Sequence, residues 1–355
     1  MINVSCRNNK IIYNAYHLVK AFMPEAVVAS SVDENQSAGI CVSIDGNIIN
    51  AEDIRELYTA LCKLTEKDLP WGMLTGVRPV KLASKWLRDN NDGTKEAFVK
   101  WFYEDRSVSR EKAELAYDVA LKERGILSRM FSKDDPEDRG YSLYIGIPFC
   151  PTVCSYCSFS SGSISEYKDR TDKYLEALFA EMKQKADEYA ITEKGFRYPT
   201  TVYIGGGTPV SLSEEQLEEL FNRADELFRI KEGLNAGKIF EYTVEAGRPD
   251  SITAGKLEVI KRAGAGRISV NPQSMQQKTL DIIGRKHTVK QTEEAFYLAR
   301  DMGFDNINMD IIAGLPGENE EDMLDTLRRI KELGPDSLTV HCLAVKRASA
   351  LGIAK

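Results

Sequence analysis

Long apolar runs are missing from this 355-residue chain, and none approaches the ~20 residues needed to cross a bilayer. A membrane span is therefore not expected. An excess of positive charge is missing too: 47 Lys and Arg face 54 Asp and Glu, for a net charge of −7. Residues 1–135 hold 19 basic and 20 acidic side chains, so no basic stripe marks a nucleic-acid partner. The beginning, MINVSCRNNKIIYNAYHL, has no basic segment leading into an apolar stretch and a small-residue cleavage site, and the expected location is the cytosol. A disulfide framework is also missing. The seven cysteines are an odd number, with Cys6, Cys41, Cys62 and Cys342 scattered and Cys150, Cys154 and Cys157 clustered. In a reducing compartment scattered cysteines act as small hydrophobes, whereas a tight cluster marks a metal or catalytic site.

What is present is the composition of a folded protein: 43% hydrophobic and 28% charged residues, enough for a real core. The length predicts two domains, or a barrel-sized domain with an addition. Residues 131–140, FSKDDPEDRG, read as a linker, which divides the chain near 138 into an N-terminal domain (1–138) and a second domain (139–355). In the first, AVVASSV and AGICVSIDGNIIN have strand character, the latter with an Asp45-Gly46 turn. AEDIRELYTALCKLTEKDL and stretches around 94–105 and 108–130 have helical spacing, which predicts a small α+β unit leading into helices. PWGMLTGVRPVK (70–81) is rich in Gly and Pro without phosphate-loop spacing, and reads as a loop between helices.

Beyond the cut, short β-rich runs alternate with long helical periods. The runs are LYIGI (143–147), TVYI (201–204), FEYTVEA (240–246), RISV (267–270), INMDII (307–312) and SLTVHCL (337–343). Strand–helix alternation implies parallel pairing, in an α/β fold that is either an incomplete (β/α)6 barrel or a doubly wound sheet. In both, functional groups gather at the C-terminal ends of the strands.

The three clustered cysteines follow the first of these runs in YIGIPFCPTVCSYCSF, at spacing C-x3-C-x2-C. Pro148 and Pro151 oppose a regular helix there, so the segment reads as a loop wrapped around something. Thiolates select zinc, copper(I) or iron–sulfur clusters. A zinc site would require a fourth Cys or His at short spacing, but the three histidines, His17, His287 and His341, are all remote. Three thiolates on a [4Fe–4S] cluster leave one iron open to a small molecule. At later strand ends stand Gly205, Gly206 and Gly207 in GGGTP, Glu245 in TVEAGRP, Gln273 in NPQS, Arg285 in IGRKHT and Asp310 in NMDII. The glycines permit close backbone approach to a ligand, and a buried strand Asp at 310 needs polar partners. His341 reads as a hydrogen-bonded core histidine, with Cys342 on the opposite strand face.

The cysteine loop with Tyr156 resembles the signature of radical S-adenosylmethionine (SAM) enzymes. Taken with GGGTP, RISVNPQS, IGRKHT and NMDIIAGLPGE, residues 141–345 resemble the oxygen-independent coproporphyrinogen III oxidase group. PWGMLTGVRPVKL resembles the link to the barrel in a dehydrogenase-like branch with an extra N-terminal domain. The resemblance implies a (β/α)6 radical SAM barrel and a [4Fe–4S] cluster on Cys150, Cys154 and Cys157. It implies SAM contacts at Tyr144, Tyr156, Gly206, Gly207, Thr208, Glu245, Gln273, Arg285, Asp310 and Ala344. The implied reaction is oxidative decarboxylation of two propionates of coproporphyrinogen III to vinyl groups. A 5′-deoxyadenosyl radical would abstract the hydrogen, and a flavodoxin- or ferredoxin-type donor would supply electrons. The decarboxylases have His in YxHIPFC and a fourth Cys in CxYCxC, where this chain has Gly146 and Phe159. Phe159 instead resembles the haem-chaperone branch, which makes haem binding the alternative. Because VKRASALGIAK stands where a sixth crossover helix would begin, the sequence reads as a truncated piece of a longer protein.

Overall fold

The computed structural model describes residues 1–130, 140–193, 195–346 and 348–353. They form two compact units, Met1–Arg129 and Met130–Lys355. The division expected near 138 lies outside the described residues.

In the first unit, β1 (Ile2–Cys6) leads through α1 (Asn9–Phe22) to β2 (Val28–Val32), which pairs parallel with it. Then β3 (Ile40–Ile44) and β4 (Asn47–Ala51) form a hairpin, giving the sheet order β2-β1-β3-β4. The hairpin turns at Asp45 (φ 46°) and Gly46 (φ 86°), the pair of positive φ values that a two-residue loop matching strand twist requires. Alternation in β1 and β3 turns Ile2, Val4, Ile40 and Val42 to one face. Leu18 of α1 and Leu57 and Leu61 of α2 (Ile54–Thr65) join them in one core. Asn8 and Asp53 cap α1 and α2 by accepting from backbone N–H groups of the first turn. Residues 70–78 are irregular, and Pro79 opens α3 (Pro79–Asp89). With α4 (Lys95–Arg106) and α5 (Arg110–Met130), α3 encloses a second core around Trp86, Leu87, Phe98 and Phe102.

The second unit starts with β5 (Tyr141–Ile147), followed by the short paired strands β6 (Phe149–Cys150) and β7 (Gly162–Ser163). Helix α6 (Lys168–Tyr189) and the small hairpin β8 (Ile191–Thr192) and β9 (Gly195–Phe196) lead to β10 (Pro199–Gly206). Next come α7 (Glu214–Phe228), α8 (Ile230–Asn235), β11 (Glu241–Gly247), α9 (Ala254–Arg262) and β12 (Arg267–Val270). The chain continues through α10 (Gln277–Ile282), α11 (Val289–Asp301), β13 (Ile307–Ala313), α12 (Glu320–Leu333), β14 (Ser337–Cys342) and α13 (Ala350–Ile353).

The six long strands pair in the order β14-β13-β12-β11-β10-β5, parallel throughout. Each new strand joins beside the one before it. A doubly wound sheet reverses its order at a switch point, and this one does not, so the architecture is the incomplete (β/α)6 barrel. Ile145, Ile147, Val202, Ile204, Val244 and Ile268 from the strands pack with Leu217, Phe221, Phe228 and Phe296 from the helices in a single core. Capping boxes at Ser213, Thr288 and Asn319 start three of those helices. Among the described residues, no helix is long and apolar enough to cross a membrane.

Phe98 is wholly buried and packs its ring against Trp86, Phe102 and Tyr117. Phe98→Ala should lower stability by about 3–5 kcal/mol, read as an earlier urea midpoint by tryptophan fluorescence of the full chain.

Candidate functional site

Beyond β5 the chain does not continue as a helix. Prolines 148 and 151 bracket Cys150, and the β6–β7 pair closes the loop, with Gly162 N–H donating to Pro148 O at 3.0 Å and Ile164 N–H to Cys150 O at 2.8 Å. A tight turn from Cys157 N–H to Cys154 O (3.0 Å) brings the last two thiols together. Ser155 N–H anchors the loop to Ile283 O at 3.0 Å. All three cysteines are free, Cys154 is buried, and the three line one cavity of about 270 Å³.

The end of β10 closes over this loop. Gly207 N–H donates to Ile147 O and Thr208 N–H to Phe149 O, both at 2.7 Å. A Cβ on Gly207 would sit 2.7 Å from Phe149 O and 3.0 Å from Cys150 Sγ, so only glycine lets the two chains approach this closely. Thr208 Oγ1 donates to Cys150 Sγ at 3.5 Å. Burial pushes the Cys150 thiol up, and the Thr208 hydroxyl partly offsets this.

Glu245, at the end of β11, accepts from the Tyr203 hydroxyl at 2.6 Å and from Gly206 N–H at 3.1 Å. Burial raises its carboxyl above the usual glutamate value, the two donors pull it back, and Asp310 adds a smaller upward push. Gln273 holds φ at 67°, a left-handed conformation that costs a non-glycine residue about 1–3 kcal/mol. Two backbone bonds to β13 keep it there: Gln273 N–H donates to Asp310 O and Ile312 N–H to Gln273 O, each at 2.9 Å. Its Oε1 is buried without a partner, as is Oδ1 of Asn271, and both residues line the thiol cavity. Asp310 accepts from Asn308 Nδ2 at 2.7 Å. Arg285 is buried, donates from Nη1 to Asn271 O and leaves Nε unpartnered. It lies beside Cys154 and Tyr156, whose phenol burial pushes upward.

Most residues expected from the sequence therefore meet in one place. Tyr156, Gly206, Gly207 and Thr208 line the cavity of the three thiols, together with Glu245, Gln273, Arg285 and Asp310. Tyr144 does not line it. It is 60% exposed, stacks on Tyr203 at 5.9 Å and borders an adjoining cavity of about 380 Å³ that shares Gly206, Gly207 and Glu245. Ala344 is exposed beyond β14 and lines neither cavity. His341 differs from expectation: it is exposed and lines the thiol cavity, because β14 is an edge strand with little covering it. Cys342 is exposed and lies outside both cavities. Sequence reasoning missed Tyr203, Asn271, the buried His287 and Arg248, whose guanidinium reaches Cys154 Sγ at 3.7 Å. The signal for Arg248 was TVEAGRP itself, a strand-end Arg locked by the following Pro.

Among the described residues, no three His, Cys, Asp or Glu side chains converge as one metal ion would require. Three thiols spaced around a cavity fit a larger polynuclear group, and the orphaned polar atoms of Asn271, Gln273 and Arg285 fit a polar ligand beside it.

Because burial lifts the Glu245 carboxyl, its neutral form favours folding: the associated stability is complete below 4.5 and is lost as pH rises through the elevated value. A carboxamide accepts from Gly206 N–H, donates to the Tyr203 oxygen and never charges. Glu245→Gln should therefore raise Tm at pH 7 and lose that advantage below pH 4.5, measured by calorimetry across pH.

The radical SAM superfamily model matches residues 144–330, which is more than half of the chain. The chain is 40% identical over 295 residues to the oxygen-independent coproporphyrinogen-III oxidase-like protein HemZ of Bacillus subtilis, covering 83% of this chain and 56% of that protein. It is 36% identical over 205 residues to the heme chaperone HemW of the same organism, covering 58% and 51%. Coproporphyrinogen III oxidase (HemN) from Escherichia coli superposes with a TM-score of 0.53 at 27% identity, over 64% of this chain and 52% of that one. The chain thus spans about half the length of the curated relatives it matches. A sequential parallel sheet, three thiols in one cavity at its C-terminal edge and a family match across its first five strands agree: the chain belongs to the radical SAM superfamily, whose cofactors are a [4Fe–4S] cluster and SAM.

Proposed function

We propose that this chain holds a [4Fe–4S] cluster on Cys150, Cys154 and Cys157 and SAM across the neighbouring strand ends. In this reading it acts in the cytosol on coproporphyrinogen III, converting two propionates to vinyl groups without oxygen. The observation that carries the reading is the cavity the three thiols share with Glu245, Gln273, Arg285 and Asp310. When bound, the two groups supply one-electron cleavage of a sulfonium and hydrogen abstraction from an unactivated carbon. The chain's own residues bind and orient. Glu245, held by Tyr203 and Gly206, meets the ammonium of the methionine moiety. Arg285 offers an unpartnered Nε to its carboxylate, and Gln273 and Asp310 face the ribose. Tyr144 and Tyr203 wall the adjoining cavity with aromatic surface, which suits the pyrrole rings of a tetrapyrrole. A flavodoxin- or ferredoxin-type protein is the electron donor in this scheme.

Phe159 favours a second reading. It is 77% exposed, borders both cavities and stands where the decarboxylases have a fourth Cys. With the similarity to a protein named heme chaperone, this supports haem as a ligand that is bound and passed on unchanged.

Anaerobic reconstitution with iron and sulfide should give a reduced [4Fe–4S] electron paramagnetic resonance signal that SAM perturbs and Cys154→Ala abolishes. Failure of the wild type to take up a cluster would sink the proposal. Gly207→Ala, by driving a Cβ against Cys150 Sγ, should lower the bound iron several-fold while the circular dichroism spectrum is unchanged. Incubation with coproporphyrinogen III should raise 5′-deoxyadenosine and release carbon dioxide, whereas stoichiometric haem uptake with neither product would decide for the second reading.

A further inference from the structure

Arg248 is a buried charge that the proposed binding of cluster and SAM leaves without a role. It follows Gly247, whose φ of 55° turns the chain sharply as β11 ends, and it precedes Pro249, which opens a short 3-10 turn. The residue is 2% exposed. Burying a guanidinium costs several kcal/mol unless its charge is matched and each of its N–H donors finds an acceptor. Here every nitrogen is used. Nε donates to Asp250 Oδ1 at 3.2 Å, and Nη2 donates to Asp250 Oδ2 at 3.2 Å and Thr152 Oγ1 at 3.0 Å. Nη1 donates to Thr152 O at 3.1 Å and to Cys154 Sγ at 3.7 Å. The Thr152 hydroxyl in turn donates to Gly284 O at 3.2 Å, which ties the cysteine loop to the residue before Arg285.

The guanidinium therefore does two things at one thiol. It grips the loop on either side of Val153 and directs an N–H at the sulfur of Cys154. Arg285 approaches the same cysteine, so Cys154 lies between two buried cations with one carboxylate, Asp250, to balance them. His287 is wholly buried near both guanidiniums and neither ring nitrogen has a partner. Burial and the two neighbouring cations hold its imidazole down to about 3, so it stays neutral and adds no third charge. Of the three cysteines, Cys154 is the buried one and the one that receives an arginine N–H.

We propose that Arg248 is a positioning residue that fixes the Cys154 corner of the loop and sets the electron affinity of the iron–sulfur group held there. The inference rests on the reading that the three thiols hold a cluster. Reduction adds one electron, taken from a low-potential one-electron donor, and so one negative charge to the cluster and its thiolates. A hydrogen-bond donor and a cation at a ligating sulfur stabilise that added charge and raise the potential. Asp250 opposes this by neutralising part of the guanidinium. The arrangement thus makes a signed prediction: removing the cation and removing its counter-ion move the potential in opposite directions. A residue that only held the loop in shape would produce no such reversal.

The test uses the full chain reconstituted anaerobically with iron and sulfide. The midpoint potential is read by electron paramagnetic resonance during titration with dithionite, without SAM. In Arg248→Gln the ratio of reduced to oxidised cluster at the wild-type midpoint should fall at least tenfold, a downward shift of about 59 mV for one electron. In Asp250→Asn that ratio should rise. Unchanged potentials, or shifts of the same sign, overturn the proposal. If Arg248→Gln takes up no cluster, Asp250→Asn decides alone: a raised potential supports the tuning role, and an unchanged or lowered one overturns it. A wild-type chain that binds no iron overturns the assignment of the cysteines and this inference with it.

Discussion

The second unit depends on one constraint: six strands that all run in the same direction. Parallel pairing leaves each strand to end on the same edge, and sequential order places neighbouring strand ends side by side. The loops after β5, β10, β11, β12 and β13 are thereby brought to one edge of the sheet, whatever residues they carry. The thiols, the glycine turn, Glu245, Gln273 and Asp310 come together because the sheet has this order, although they are spread over some hundred and sixty residues of sequence. Backbone bonds between consecutive strand ends lock the arrangement: Gly207 N–H to Ile147 O, Asn271 N–H to Gly247 O and Gln273 N–H to Asp310 O.

That convergence has a thermodynamic cost. The site buries a carboxyl at Glu245, guanidinium groups at Arg248 and Arg285, and a left-handed glutamine at 273. Each would be destabilising if left alone. Arg248 is fully paired, and Glu245 has two donors. Asn271, Gln273 and Arg285 retain unpartnered polar atoms, so the polar wall of the thiol cavity is built with unused hydrogen-bonding capacity in front of a continuous apolar core. The stability of the unit comes from that core, which lets the strand ends carry strain and desolvated charge.

The strand–helix alternation and the six β-rich runs could be read from the sequence because buried parallel strands are short apolar runs and amphipathic helices separate them clearly. The order of the strands needed the structure, since periodicity does not distinguish a barrel segment from a doubly wound sheet. Nothing in the pattern announced β1 or α1, which follow one another within a few residues with neither Gly nor Pro between them. The helix α3 was hidden behind the Gly- and Pro-rich segment before it, whose last proline is its first residue. His341 was misread because alternation alone says which residues share a face of a strand. Whether that face is covered depends on neighbours, and β14 has a strand on one side only. Arg248 escaped notice for the opposite reason. An arginine at a strand end reads as solvated, and only the turn imposed by Gly247 and Pro249 sends it inward.

The two cavities differ in how tightly their walls are determined. The thiol cavity is built by backbone bonds, a glycine that admits no Cβ, and side chains buried in networks, so few substitutions leave it intact. The adjoining cavity is lined by the exposed Tyr144, by Phe159, which it shares with the thiol cavity, and by Gly146, whose carbonyl accepts from the Tyr174 hydroxyl at 2.6 Å. A Cβ at Gly146 would meet only the Tyr144 ring, at 3.3 Å, and that ring is exposed and stacked on Tyr203. The two positions at which this chain departs from the decarboxylase pattern, Gly146 and Phe159, both border this cavity. Gly146 thus stands in a wall that one exposed ring completes, whereas the cysteine loop is fixed by groups whose change would move the strand ends.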